Sequence, residues 1–311
     1  MDTIVVGAVE STKVALLQMI ARGVPPNLII TAPVARSGMH SDYVDLSQIA
    51  AENDIPIIEE LDVNSTSCRD LVGAMNPEYI FVIGWSRLCG QEFRNLAQKG
   101  VIGYHPSLLP KLRGRAALAW TIILDVRTTG ATLFWMDEGM DSGDIAVQHS
   151  LGLTGTEYLG DLMAAQMRLL DQMMNELISA LVAGKRPALA QDHGKASYIA
   201  VRRAADGLIN WESPANEIAR LVRAVSKPYP GAFSYFGKNT IRIWRAEEGH
   251  YPQWNALSGQ IFTYESGQPV VRCGERTSLI LENYQIENRK GEVLHDEVLT
   301  GQKRMRSPAH G

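Results

Sequence analysis

The first hundred residues alternate short β-branched runs with amphipathic stretches: Ile4 to Val6 then 12 to 21, Leu28 to Thr31 then 45 to 52, Tyr79 to Ile83 then 91 to 98. Such alternation reads as βαβ units feeding a mainly parallel sheet covered by helices. The expected fold is therefore a doubly wound α/β domain. Its first turn, Gly7-Ala8-Val9-Glu10-Ser11-Thr12, lacks the GxGxxG spacing that brings a pyrophosphate against a helix N-terminus. A nicotinamide or flavin dinucleotide is disfavoured accordingly.

At 311 residues the chain has room for two domains of roughly 150 residues each. Residues 156 to 183 carry Leu159, Leu162, Met163, Leu170, Met173, Met174, Leu177 and Leu181 at helical spacing, with Gly184 and Pro187 as the stop. The methionines read as core filler. The stretch also holds Asp161, Arg168, Asp171 and Glu176, too many charges for a membrane span. Beyond an aperiodic segment, Ser213 as N-cap and Pro214 at the first helical position begin another helix. Short strands with glycine punctuation follow, at Thr240 to Trp244, Gln260 to Tyr264, Val270 to Cys273 and Leu279 to Leu281. They read as a small antiparallel, OB-like barrel. The expected division is 1–187 as the catalytic domain, 188–205 as a linker and 206–311 as the C-terminal domain.

The net charge of -4 gives no global field toward nucleic acid or an anionic membrane. Three widely spaced cysteines, Cys68, Cys89 and Cys273, form no zinc-like group, so no metal is expected, and they read as reduced thiols. The opening MDTIVVGAVE has no basic n-region, so a cytoplasmic protein is expected.

Two runs concentrate unusual chemistry. Gly103-Tyr104-His105-Pro106-Ser107-Leu108-Leu109-Pro110, followed by Arg113-Gly114-Arg115, sets a histidine at a strand end before a proline-bounded loop. That is a rigid perch for a general base poised near neutral pH. Met136-Asp137-Glu138-Gly139-Met140-Asp141-Ser142-Gly143-Asp144 puts four carboxylates at the end of another strand. One of them is placed to orient His105. The same acidic glycine-rich turn also suits a solvated hairpin, and EF-hand calcium spacing fails in it.

Together the runs resemble the folate-dependent formyltransferase superfamily, marked by a histidine followed by xSLLPxxRG and, after a helix and strand, TGxTxxxMDxGxDxGD. The matching residues are His105 to Gly114 and Thr129 to Asp144. Gly207 to Trp244, with IxW, the helix AxxIARLVRA and PGAFSY, is similar to the C-terminal domain of methionyl-tRNA formyltransferases. Ser41-Asp42-Tyr43-Val44-Asp45-Leu46 and GYHPSLLP look more like the amino-sugar branch.

The resemblance implies N10-formyltetrahydrofolate as co-substrate, a small primary amine as acceptor, and His105 with Asp141 as the catalytic pair, Asp144 being the next candidate. It implies a folate site on Gly84, Trp85, Ser86, Arg87 and Leu88 and on the turn Asp137, Glu138 and Gly139. Ser11, Ser107, Arg113 and Arg115 are the expected acceptor contacts, the arginines facing an anion such as a nucleotide diphosphate. A nucleotide-linked amino sugar leads as acceptor. From Asp206 onward thirteen Lys/Arg balance twelve Asp/Glu, which disfavours tRNA. A homodimer is compatible with this reading. One departure stands out: the transferases of the superfamily usually carry Asn two residues before the histidine, and this chain has Gly103. The formyl-cleaving domain of 10-formyltetrahydrofolate dehydrogenase, a hydrolase, also lacks that Asn and also resembles this chain.

Overall fold

A computed structural model describes residues 1–35, 42–294, 299 and 304–306; Ser41 of the sugar-branch string lies outside them. The chain forms two compact units, one of Met1–Ala117, Thr128–Gly152 and Met163–Val201, the other of Leu118–Arg127, Leu153–Leu162 and the chain from Arg202 onward.

In the first unit the elements are β1 (Thr3–Val6), α1 (Glu10–Ala21), β2 (Leu28–Thr31), α2 (Ser47–Glu52), β3 (Ile57–Glu59), α3 (Thr66–Met75), β4 (Tyr79–Val82), α4 (Gln91–Arg94), β5 (Gly100–His105) and β6 (Arg113–Gly114). The chain continues through α5 (Ala117–Ile123), which from Leu118 belongs to the second unit, to β7 (Thr128–Trp135), β8 (Ile145–Gly152), α6 (Leu159–Val182), which joins the first unit from Met163, and β9 (Tyr198–Ile199). The sheet order is β3-β2-β1-β4-β5-β7-β8. The first five strands run parallel, and β7 and β8 are added antiparallel. The runs TIVV, LIIT and YIFV are buried at every position, as parallel strands with both faces covered must be. On one face Phe81, Ile102 and Leu133 pack against Leu170, Met173, Met174 and Leu177 of α6. On the other, Ile80 and Val101 pack against Val72 and Phe93. Of the α6 methionines, Met173 and Met174 are fully buried and Met163 is half-buried. No helix among the described residues is long and apolar enough to cross a membrane.

In the second unit α7 (Ala215–Val225) precedes β10 (Ala232–Phe236), β11 (Asn239–Gly249), β12 (Ile261–Glu265), β13 (Gln268–Arg272) and β14 (Ser278–Glu287), an antiparallel sheet ordered β10-β11-β14-β13-β12. Arg306 bridges to Tyr235 on one edge and Arg304 to Gln260 beside the other, drawing both edges onto one segment.

Several local readings shift. Pro214, not Ser213, is the N-cap of α7, because the first helical N–H, on Ala215, donates to Thr277 Oγ1 at 2.8 Å and needs no serine. The helix expected over 91 to 98 stops at Arg94. Residues 188–201, expected to lie in a linker, belong to the first unit: Leu189 exchanges backbone hydrogen bonds with Ile145 at 2.8 and 2.9 Å, and β9 pairs in parallel with β6. The segment carries no helical or strand period because Leu189 pairs with Ile145 while Tyr198 and Ile199 pair with β6, so no one partner spans it.

Candidate active site

His105 is the last residue of β5, at the carboxyl edge of the parallel strands, where open α/β sheets present ligands. It is 5% exposed. Its Nε2 lies 2.7 Å from the Leu112 carbonyl, which can only accept, so Nε2 carries the proton and donates. In the neutral ring Nδ1 is then a bare lone pair, and it faces Asp141 Oδ2 at 3.6 Å. Burial holds the imidazole pKa below its ordinary value, against the upward pull of the Asp141 carboxylate and of the Leu112 hydrogen bond. The ring is therefore neutral at neutral pH and able to take a proton on the side of the carboxylate.

The loop after His105 is stapled to its neighbour strands. Thr132 Oγ1 donates to the Ser107 carbonyl at 2.7 Å, and Gln148 Nε2 donates to the Leu109 carbonyl at 2.9 Å. Leu112 holds φ at +57°, a costly conformation for a branched side chain, and its N–H is tied to Ser197 Oγ at 2.9 Å. The strained residue is thus the one whose carbonyl sets the His105 tautomer. Asp141 also sits at positive φ, +50°. Its Oδ2 accepts from the Gly114 N–H at 2.8 Å, and its carbonyl accepts from Gln191 Nε2 at 2.9 Å.

The remaining candidates divide. Asp137 Oδ1 accepts from Gly139 N–H at 3.0 Å and Ser142 Oγ at 2.7 Å, shaping the turn, and Glu138 and Gly139 are exposed on it. Asp144 is exposed, its carbonyl holding Trp135 N–H at 2.8 Å. Gly84, at φ +71°, brings its backbone against Ser11, whose Oγ lies 2.7 Å from where a Cβ would stand. Trp85 is half-buried, and Ser86, Arg87 and Leu88 are exposed. The segment is moored by Asn64, which donates to the Leu88 carbonyl at 2.9 Å and accepts from Gly90 N–H at 2.6 Å. A cavity of about 640 Å3 lies at the amino end of β5, walled by Gln91, Arg94, Lys99, Val101, Met136 and Glu138, with His105 four residues further along the strand from Val101. Asp137 and Glu138 of the expected folate site line it, and 84–88 does not. Arg94 and Val101 gave no sequence signal, and Met136 stood inside the second run without a role of its own.

Two expectations need correction. Arg113 is 2% exposed and turned inward, its Nη2 donating to Gln191 Oε1 at 2.7 Å and His193 Nδ1 at 3.0 Å and its Nη1 to Tyr198 Oη at 3.2 Å. Ser107 is 1% exposed and donates to the Lys111 carbonyl at 2.6 Å. Both side chains are consumed by the loop's own carbonyls and strap residues, which leaves them closed to an acceptor. Arg115, next along, is exposed. Among the described residues no group of three His, Cys, Asp or Glu could hold a metal ion.

At Gly103, two residues before His105 on the same strand face, an added Cβ would stand 2.8 Å from Phe134 Cζ and 3.0 Å from Met136 Cγ. The space beside the histidine is already filled with apolar side chain.

The formyl transferase model matches residues 41–181 and the formyl transferase C-terminal domain model residues 202–298. The chain belongs to the formyltransferase superfamily. Among solved members, an N-formyltransferase from Helicobacter canadensis in complex with folinic acid and dTDP-3-aminofucose aligns with a TM-score of 0.68 at 17% identity over 90% of this chain and 98% of that one. HypX from Aquifex aeolicus, in complex with tetrahydrofolic acid, gives 0.64 at 14% over 94% of this chain, which spans 45% of that protein's length. Methionyl-tRNA formyltransferase from Clostridium thermocellum gives 0.57 at 22%, over 79% and 93%. At these identities the superfamily members share the fold.

Proposed function

We propose that this formyltransferase moves a formyl group from N10-formyltetrahydrofolate to the primary amine of a small acceptor, a nucleotide-linked amino sugar. The observation that carries the reading is the buried His105 ring with Nε2 committed to the Leu112 carbonyl and Nδ1 turned to Asp141 Oδ2. The near-full-length match to a sugar N-formyltransferase fold supports the choice of acceptor.

In this reading the amine nitrogen bonds to the formyl carbon while the carbonyl electron pair moves to oxygen. His105 Nδ1 takes the proton that the nitrogen must lose. Asp141, held by Gly114, faces the imidazolium so formed and stabilises it without accepting the proton itself. His105 then returns the proton to N10 as the carbon–N10 bond breaks, giving tetrahydrofolate and the N-formyl amine. The co-substrate is placed against the 84–88 segment and the turn Asp137 to Gly139, whose exposed backbone and carboxylates offer donors and acceptors to a flat heterocycle. Arg115 is the exposed cation offered to a diphosphate. The catalytic part runs through the 188–201 segment rather than ending at 187.

Hydrolysis of the formyl group is favoured by one observation, the apolar filling of the corner at Gly103 where an oxyanion donor is expected. Incubation with N10-formyltetrahydrofolate and a panel of nucleotide amino sugars, free amino sugars and charged initiator tRNA separates the readings. Formylated nucleotide sugar is expected. Formylated tRNA at physiological salt, or formate released equally with and without amines, would replace the reading.

A further inference from the structure

Gln191 is 5% exposed and spends both ends of its amide inside the candidate site. Its Nε2 donates to the carbonyl of Asp141 at 2.9 Å and to that of Gly143 at 2.6 Å, clamping the turn on either side of Ser142. Its Oε1 accepts from Arg113 Nη2, and Arg113 is itself held by His193 and Tyr198. The same segment reaches the other half of the pair, because Ser197 Oγ accepts from the N–H of Leu112, the residue whose carbonyl receives the His105 proton. Asp141 stands at φ +50°, which a turn keeps only when its surroundings impose it. Across 3.6 Å, a shift of the turn by an ångström decides whether Asp141 meets the imidazolium at all.

Resting on the proposed chemistry, we infer that Gln191 is a positioning residue: through its two amide N–H bonds it holds the Asp141 turn where the carboxylate faces His105 Nδ1. Its bond to Arg113 sets the orientation of the amide, and the donors do the holding. An arginine in that place can only donate, so the carbonyl end of the amide must face it and the NH2 end must face the turn.

Gln191→Glu keeps an acceptor for Arg113 but offers two carbonyls a carboxylate, and Gln191→Met keeps the shape without either function. Both are expected to lower kcat by about ten- to a hundredfold with the acceptor KM little changed, the scale on which ångström misplacement acts. In the Asp141→Asn background the same substitutions should cost less than about twofold, since effects through one group do not add. A Gln191→Glu enzyme with the wild-type rate, or losses that multiply with Asp141→Asn, would overturn the inference. Either variant serves if the other fails to fold. A measurement without substrate stands apart from the proposed reaction: NMR titration of His105 in Gln191→Met should give a lower midpoint than in the wild type, because the loosened carboxylate no longer raises it. An unchanged midpoint in the folded variant refutes the positioning role even if the enzyme transfers no formyl group. A wild type inactive on every amine with the midpoint lowered refutes only the proposed reaction.

Discussion

Gly103→Asn restores the amide usual in the superfamily's transferases and is the sharpest perturbation of the account. Gly103 pairs with Phe134 across β5 and β7. Its added Cβ would lie 2.8 and 2.9 Å from the phenyl edge, closer than packed carbons come, and 3.0 Å from Met136 Cγ, a contact that the methionine must yield to by a few tenths of an ångström. Phe134 is 4% exposed, so its ring has little room to swing aside. Overpacking of this kind costs about 1–3 kcal/mol. A buried amide without partners adds about 1–3 kcal/mol. Together the two lower stability by about 2–6 kcal/mol and the unfolding midpoint of a unit this size by about 4–24 °C. Calorimetry checks that figure, and product analysis of the same sample checks the chemistry, where formylated amine should not rise. Adding Phe134→Ala should recover about 1–3 kcal/mol of the clash relative to the sum of the single changes. A variant that melts like the wild type and makes several-fold more formylated amine would show the corner to be a vacant oxyanion site.

Other expectations follow from the same geometry. His105→Ala should lower turnover by about 10²-fold or more while the protein stays folded, as steady-state rates and circular dichroism will show. Asp141→Asn should remove most turnover and Asp144→Asn little, the reverse placing the pair on the wrong carboxylate. Since burial lowers the His105 pKa in the folded state, the unfolded chain binds the extra proton first as pH falls from about 6.5. Stability held above that pH is therefore lost toward the folded pKa, and His105→Gln should flatten that part of the melting-temperature profile. Tetrahydrofolate should raise the melting temperature and NAD should not, read by thermal shift.

The parallel sheet was legible because β1, β2 and β4 are apolar at every residue but Thr3 and Thr31, a pattern that a half-exposed strand cannot carry. The residues alone left open which of four carboxylates would face His105; the resemblance implied Asp141, which stands 3.6 Å from its Nδ1. Charge without orientation misled at Arg113: a cation in a loop suggests an anionic ligand, and only the fold reveals that Gln191, His193 and Tyr198 have claimed it. Gln191 itself was invisible, a lone amide in an aperiodic stretch whose backbone is ordered by Ile145 and Arg113, both far along the chain. The strand β8 and the helix α3 also escaped notice, their polar residues breaking any clean period.

The central claim, that His105 and Asp141 deliver a formyl group to an amine, is tested most directly by following the label of [13C]formyl-N10-formyltetrahydrofolate by NMR in the presence of a nucleotide-linked amino sugar. The account predicts a formamide carbon on the sugar growing in step with tetrahydrofolate, and abolished together with folate release in His105→Ala. Label collecting as formate at a rate indifferent to the amine, or transfer that persists in folded His105→Ala, would contradict it.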